Sequence, residues 1–235
     1  MNTQLEDHEE VVTAAPRFRN RQHAGELLGQ RLQQFRGARP LVLGLPRGGV
    51  PVAAAVARAL AAELDVVVSR KLGSPVSAEL AIGAVTANGG RFLNDDVIRM
   101  LNVSEAYVTA VTATQQAEAR RREALFRGSR PPLAITGRTV LLVDDGLATG
   151  ATMRAAVRAV RQQRPERLVV AVPVGSRDAC AALRSEADDV VCLQEPEDFG
   201  AVGFYYEDFT QTEDRDVQEL LEEFAATRAS TLGPD

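Results

Sequence analysis

Five short apolar runs, at residues 41–45, 66–68, 140–143, 168–172 and 190–193, alternate with Ala-, Leu- and Arg-rich stretches at 50–64, 152–164 and 176–187. The runs have strand length and β-branched content, and the stretches between them have helical spacing. Strand–helix–strand alternation forces parallel pairing through crossover helices. The expected fold is therefore α/β, an open, mostly parallel five-stranded sheet with helices on both faces. Near-continuous apolarity within each run suits strands covered on both sides. Ala24, Leu27, Leu28, Leu32 and Phe35 predict an amphipathic helix over 20–36. Asn88-Gly89-Gly90 predicts a hairpin turn between segments 80–85 and 91–93. Ser104 can cap a long helix to Phe126, which the breakers at 128–132 end, and a last helix is expected around 216–226.

This pattern predicts one domain over residues 16–228, with a core at about 39–194 and a small hood built from 16–38 and 195–228. Residues 1–15 and 229–235 are expected to be flexible tails. The net charge of −5, with both signs interspersed, argues against a nucleic-acid partner, which would need a basic face. The run Arg120-Arg121-Arg122 falls in a helical pattern and is expected on a solvated helix face. No apolar run approaches membrane-spanning length, and the acidic N-terminus lacks a signal core, so no membrane partner and a cytoplasmic location are expected. Cys180 and Cys192 stand in apolar stretches far from His8 and His23. They are expected to be core residues, with neither a metal-ligand spacing nor a disulfide framework.

The chemistry concentrates in VLLVDDGLATGAT, residues 140–152. An apolar strand runs into Asp144-Asp145, then into Gly146, Leu147, Ala148, Thr149, Gly150, Ala151 and Thr152, where a helix starts. In an open α/β sheet, ligands bind outside the carboxyl ends of the strands, where this turn lies. The glycines let successive N–H groups converge, and the helix N-terminus adds its dipole, so the turn is an anion cradle. Adjacent carboxylates would repel a bare phosphate. They make sense if they accept hydrogen bonds from sugar hydroxyls while a cation screens the charge. A ribose 5-phosphate meets both demands.

The segment resembles the signature with which type I phosphoribosyltransferases bind 5-phosphoribosyl-1-pyrophosphate (PRPP). It matches neither a nucleotide-triphosphate P-loop, since no Lys follows Gly150, nor a dinucleotide fingerprint. LGLPRGGVPVA is similar to the family's first loop, which implies that Arg47, Gly48 and Gly49 hold pyrophosphate. In that loop the family often carries a non-proline cis peptide, which would here join Pro46 to Arg47. VVVSRKLGSP resembles the family's second, mobile loop, which implies that Arg70 and Lys71 meet the pyrophosphate from a strand end while Gly73-Ser74-Pro75 forms a cover. Together with Asn20-Arg21-Gln22-His23-Ala24-Gly25 and the stretch 70–85, these motifs are similar to a branch of predicted phosphoribosyltransferases, over about residues 18–224.

The resemblance implies transfer of the phosphoribosyl group from PRPP to a small nitrogen acceptor of nucleobase type, with release of pyrophosphate. Mg²⁺ would be the cofactor, held mainly by PRPP rather than by protein ligands. Asp144, Asp145, Arg70 and Lys71 would carry the chemistry, and Val174, Phe204 and Tyr205 are candidates to line the acceptor pocket. Ala148 stands where hypoxanthine-guanine enzymes place an acid, which weakens that specificity without establishing adenine. Homodimer formation stays open. So does a second class of function, a PRPP- or nucleotide-sensing regulator with the same fold and little catalysis.

Overall fold

The first helix, α1 (Arg21–Arg31), starts where the Asn20 side chain accepts from the His23 N–H, and it ends short of the expected 36. The Leu32 N–H is shared between the Leu28 and Gly29 carbonyls, which tightens the chain into a 3₁₀ segment, Gln33–Ala38. The structure, a computed structural model, describes residues 16–78 and 80–232. Next come β1 (Leu41–Gly44), α2 (Gly49–Leu60) and β2 (Glu63–Val66). The second strand begins three residues earlier than its apolar run, because α2 stops at Leu60. Ala61 adopts a left-handed conformation (φ 51°) and the Ala62 N–H closes back on the Ala57 carbonyl. This is a helix-ending geometry usually signalled by glycine.

An insertion follows that does not join the main sheet. It comprises β3 (Ser69–Gly73), β4 (Ala81–Thr86), β5 (Arg91–Leu93), α3 (Asp95–Met100) and α4 (Glu105–Arg127). β3, β4 and β5 form a separate antiparallel sheet, with the expected hairpin between the last two. Its turn leans on the helix of the next unit, since a Cβ on Gly90 would come within 2.3 Å of the Ala159 Cβ. Ser104 caps α4 as expected, by accepting from the Tyr107 N–H. Along α4, Arg121 and Arg122 pair with Glu118 on the surface, while Arg120 donates to the Ala87 carbonyl and so ties α4 to the hairpin. Arg127 bonds buried Asp65 and the Val66 carbonyl, each at 2.8 Å, which fastens the insertion to β2.

The chain then returns to the main sheet through β6 (Thr139–Val143), α5 (Ala151–Arg161), β7 (Arg167–Val174), α6 (Arg177–Arg184) and β8 (Asp189–Gln194). The five strands are all parallel, in the order β2-β1-β6-β7-β8. Alternate residues serve opposite faces. Leu41, Leu43, Val140 and Leu142 pack with Met153 and Val157 of α5 and Leu183 of α6, whereas Val42, Leu141 and Val143 pack with α1, α2 and the C-terminal helix. Both faces are covered, which explains the continuous apolar runs. Strand order reverses between β1 and β6, so the crevice at their carboxyl ends is the topological switch point, where such sheets bind ligands.

The hood is built as expected from both ends of the chain. Phe18 bridges to Tyr206 through backbone bonds of 2.8 Å from Phe18 N to the Tyr205 carbonyl and from Glu207 N to the Phe18 carbonyl. A 3₁₀ turn, Val202–Tyr205, precedes the last helix, α7 (Asp214–Leu232). That helix runs past 229, where a tail was expected, while the other expected tail, 1–15, lies outside the described residues. Among the described residues no helix is long and apolar enough to cross a membrane.

The hood reaches the switch point because α1 lies close against α2. A Cβ on Gly25 would meet the Val52 carbonyl oxygen at 2.6 Å and the Ala55 Cβ at 2.7 Å. Replacing Gly25 by Val should destabilise the protein by about 1–3 kcal/mol, the usual cost of overpacking. Gly37→Ala, where nothing lies within 4 Å of the added carbon, serves as the near-neutral control. Urea denaturation of the two variants checks this, and equal midpoints would contradict the packing argument.

Candidate active site

Two loops meet at the switch point, one after β1 and one after β6, tied by a bond of 2.9 Å from Leu45 N to the Val143 carbonyl. In the first, the Pro46–Arg47 peptide is cis, as the resemblance implied. The next two residues must be small. A Cβ on Gly48 would lie 2.0 Å from Asp145 Oδ2, and one on Gly49 would lie 2.8 Å from Asp144 Oδ1. The glycines of the first loop thus pack on the two carboxylates of the second.

Asp144 and Asp145 are both half-buried. Asp144 Oδ1 accepts from the Asp145 N–H at 2.9 Å. Asp145 Oδ2 accepts from Arg21 Nε at 2.8 Å, and the Tyr206 hydroxyl donates to the Asp145 main-chain carbonyl at 2.7 Å. Arg21 is itself held, with Nη1 donating to the Thr210 carbonyl at 2.7 Å and the guanidinium 3.9 Å over the Phe209 ring. Burial raises the Asp144 carboxyl well above its ordinary range, and the charge of Asp145 raises it further. Burial also raises Asp145, against the lowering pull of Arg21. The Tyr206 phenol is pushed up by burial and by Asp145. One guanidinium for two desolvated acids leaves negative charge in excess, which hydroxyl donors and a cation would relieve. The surrounding donors are oxygens, which suits a hard cation such as Mg²⁺.

The cradle beyond them is pinned from β7. Leu147 N donates to the Val174 carbonyl, Ser176 N to the Leu147 carbonyl (both 2.9 Å), and Ser176 Oγ to the Ala148 carbonyl at 2.7 Å. Gly150 turns into α5 at φ 72°, with no side chain capping the helix. The first-turn N–H groups of α5 are therefore left for an anion, and Ala148 and Thr149 beside them are exposed.

The remaining candidates divide. Arg70 and Lys71 lie within β3 itself, paired with Val85 and Ala84, rather than in a loop at the end of a main-sheet strand. Segment 80–85 was expected to pair with 91–93 alone, and its second antiparallel neighbour, β3, was not expected. They nevertheless share a cavity of about 470 Å³ with Thr152, Ser74 and Tyr107, on the side of the phosphate cradle. Arg70 Nε donates to Gln115 Oε1 at 3.1 Å. Arg47 points away from the acids, to Glu213 at 3.2 Å and Asp214 at 3.6 Å. Val174 is wholly buried with Phe18, Ala24 and Tyr206 under Gly146, so it supports the loop rather than facing a ligand. Phe204 is exposed, while Tyr205 stacks on Phe199 and donates to the Asp198 carbonyl.

Sequence reasoning missed Arg21, Tyr206 and Phe209 as members of the site. Arg21 stands in a recognisable motif but reaches a carboxylate 124 residues away, and only the hood topology brings it there. A second concavity, about 430 Å³, opens at the far end of the sheet between Leu64, Leu133 and Phe224. Its arginines are already engaged, Arg127 with Asp65, Arg228 with Glu63 and Arg130 with main-chain carbonyls. The excess charge lies at the switch point.

Comparison with known proteins agrees with this geometry. The family model of the phosphoribosyl transferase domain matches residues 17–209. Rv0571c of Mycobacterium tuberculosis, provisionally named a phosphoribosyl transferase, is 48% identical over 205 residues, which are 87% of this chain and 46% of that protein. The chain spans about half the length of the curated relatives with which it aligns over most of its own length. The bifunctional protein PyrR of Brevibacillus brevis is 49% identical over 53 residues, 22% of this chain and 30% of its own. The crystal structure of TT1426 from Thermus thermophilus superposes with a TM-score of 0.76 at 48% identity, covering 88% of this chain and 99% of that one.

The raised carboxyl of Asp144 carries a stability consequence. A carboxyl whose folded pKa lies above its unfolded value binds its proton more tightly when folded. Its contribution is complete below the ordinary carboxylate range and is lost as pH rises through the folded value. Asp144→Asn keeps the oxygen that accepts from Asp145 N but removes the ionisation. The empty variant should be more stable than the parent near neutral pH, with the advantage vanishing at about pH 4. Thermal unfolding at the two pH values reads this directly, and a variant less stable at neutral pH would refute it.

Proposed function

The chain belongs to the phosphoribosyl transferase family, and on that premise we propose that it binds PRPP with Mg²⁺ and transfers the phosphoribosyl group to a nucleobase-like nitrogen, releasing pyrophosphate. The observation that carries this reading is the placing, on one strand exit, of a half-buried acid pair whose ionisation burial penalises and an uncapped helix N-terminus. A ligand with a diol at one end and a phosphate at the other answers both.

In the reaction the C1–O bond to pyrophosphate breaks and the acceptor nitrogen forms a bond to C1, through a state with oxocarbenium character. Asp144 and Asp145 accept hydrogen bonds from the ribose hydroxyls, and their charge favours the positive charge developing on the ring. Residues 148–152 anchor the 5-phosphate and so hold C1 in place, while Leu147, buried and with its N–H given to the Val174 carbonyl, supports the loop rather than touching the ligand. Arg70 and Lys71, on the β3–β4 flap, supply positive charge to the leaving group, with Gly48 offering a backbone amide. The Gly49 N–H is already given to the Leu45 carbonyl at 3.0 Å, so Gly49 serves by close packing. Arg47 joins them only by leaving Glu213 and Asp214, an exposed pairing that costs little to break. Mg²⁺, held mainly by PRPP oxygens, would supply charge neutralisation to the diphosphate. Ala148 offers no carboxylate to a purine, and exposed Phe204 presents a flat apolar surface on the hood, suited to a ring.

PRPP with Mg²⁺ at ~100 times its Kd should stabilise the fold by roughly 2.7 kcal/mol, and much less so with a chelator present. Asp145→Asn should weaken PRPP binding by roughly ten- to a hundredfold, the loss of a charged hydrogen bond. Lys71→Ala should leave affinity nearly intact while slowing pyrophosphate release in a screen of nucleobases and amines. Calorimetry and a pyrophosphate assay check the three. Stabilisation that ignores the chelator, or an Asp145→Asn variant that binds as the parent does, would contradict the assignment.

A further inference from the structure

α6 and β8 bring together two thiols that this chemistry does not use. Cys180 and Cys192 were expected as separate core residues, but neighbouring elements on one face set them side by side. Cys180 is buried and Cys192 half-buried, and their Sγ atoms and a Glu195 carboxylate oxygen all lie within 4.8 Å of one another. Glu195 is already paired with Arg184 at 2.5 Å, so the carboxylate is neutralised by an arginine rather than offered to a metal. The thiols are also coupled to the phosphate cradle. Cys192 Sγ donates to the Gln194 carbonyl at 3.1 Å, and Gly175 N donates to the same oxygen at 3.1 Å. Gly175 roofs the pair, since a Cβ there would lie 2.7 Å from Cys180 Sγ and 3.5 Å from Cys192 Sγ. The next residue, Ser176, holds the Leu147 and Ala148 carbonyls, and Gly175 itself bridges to Leu147.

We propose that Cys180 and Cys192 are a modification site, a thiol pair that a peroxide oxidises to a reversible disulfide, acting through Gly175–Ser176 on the cradle 146–152. One sulfur of the pair, as its thiolate, attacks a peroxide oxygen. The O–O bond breaks, leaving a sulfenic acid and, after protonation, water. The other sulfur then attacks that sulfenic sulfur, the S–O bond breaks, the S–S bond forms, and a second water leaves. Two thiols and one hydrogen peroxide thus give one disulfide and two waters. A disulfide needs its sulfurs about 2.05 Å apart, and Cys192 loses the proton it gave to Gln194. The contacts that fix Gly175 are therefore remade, and with them the bonds that Ser176 gives to the cradle. The effect on ligand binding rests on the cradle being the phosphate site.

The test treats the full chain with hydrogen peroxide and follows intact mass, hydrogen–deuterium exchange and PRPP·Mg²⁺ affinity, before and after reduction by dithiothreitol. Expected are a mass loss of two hydrogens, faster exchange over 146–152 and 174–177, and affinity about tenfold weaker, as for one lost hydrogen bond to an anion. Dithiothreitol should reverse all three, and Cys180→Ala and Cys192→Ser should each abolish the peroxide response. Thiols that still alkylate fully after peroxide overturn the proposal. So does a disulfide that forms without altering exchange, or stoichiometric zinc released only when the thiols are blocked. A reversible disulfide that alters exchange in a protein binding no PRPP in either state upholds the switch and refutes the phosphate ligand instead.

Discussion

At the exit of β6, beside the loop that follows β1, Asp144 and Asp145 are held partly out of water with one guanidinium, on Asp145, to balance them, and much of the architecture follows from that arrangement. The first loop can approach only because Gly48 and Gly49 have no side chains to meet the carboxylates. The guanidinium is there because α1 lies against α2 through Gly25, and because the hood segment after the 3₁₀ turn supplies Phe209 and the Thr210 carbonyl to hold it. Burial raises both carboxyls, so holding them ionised costs stability, a cost that hydrogen-bond donors and a cation would relieve.

Around that pair, the parallel sheet and the insertion divide the work. The sheet fixes the acids and the cradle at the end of one strand, β6, where both faces are packed and little can move. The antiparallel flap carries Arg70 and Lys71 and is fastened at its base through Arg127 to Asp65 and at its hairpin through Gly90 to Ala159. Between those anchors lies the turn from Ser74 to Leu80, whose Val76 side chain is exposed.

Much of this was legible in the sequence because it is local. The five apolar runs, the cap at Ser104, the turn at Asn88-Gly89-Gly90 and the acid–glycine–threonine segment each declare themselves within a dozen residues. What escaped depends on packing between distant parts or on residues in unusual roles. Ala61 ends α2 in a conformation that sequence rules reserve for glycine, which misplaced the start of β2. β3 needed a partner across the flap, so Arg70 and Lys71 were assigned to the wrong kind of element. Arg21 reaches Asp145, and Cys180 reaches Cys192, only once the fold is formed. Val174 was assigned to the acceptor pocket from its position after a strand, and burial under Gly146 places it in the support instead.

The central claim is that one ligand joins the acid pair to the cradle. Diffraction from crystals of this protein grown with PRPP and Mg²⁺ tests it most directly. The account predicts ribose hydroxyls on the carboxylates of Asp144 and Asp145, and the 5-phosphate against the backbone N–H groups of 148–152. Density for the ligand elsewhere, such as in the concavity beside Phe224, or a phosphate bound at the cradle with the sugar turned away from both aspartates, would contradict it.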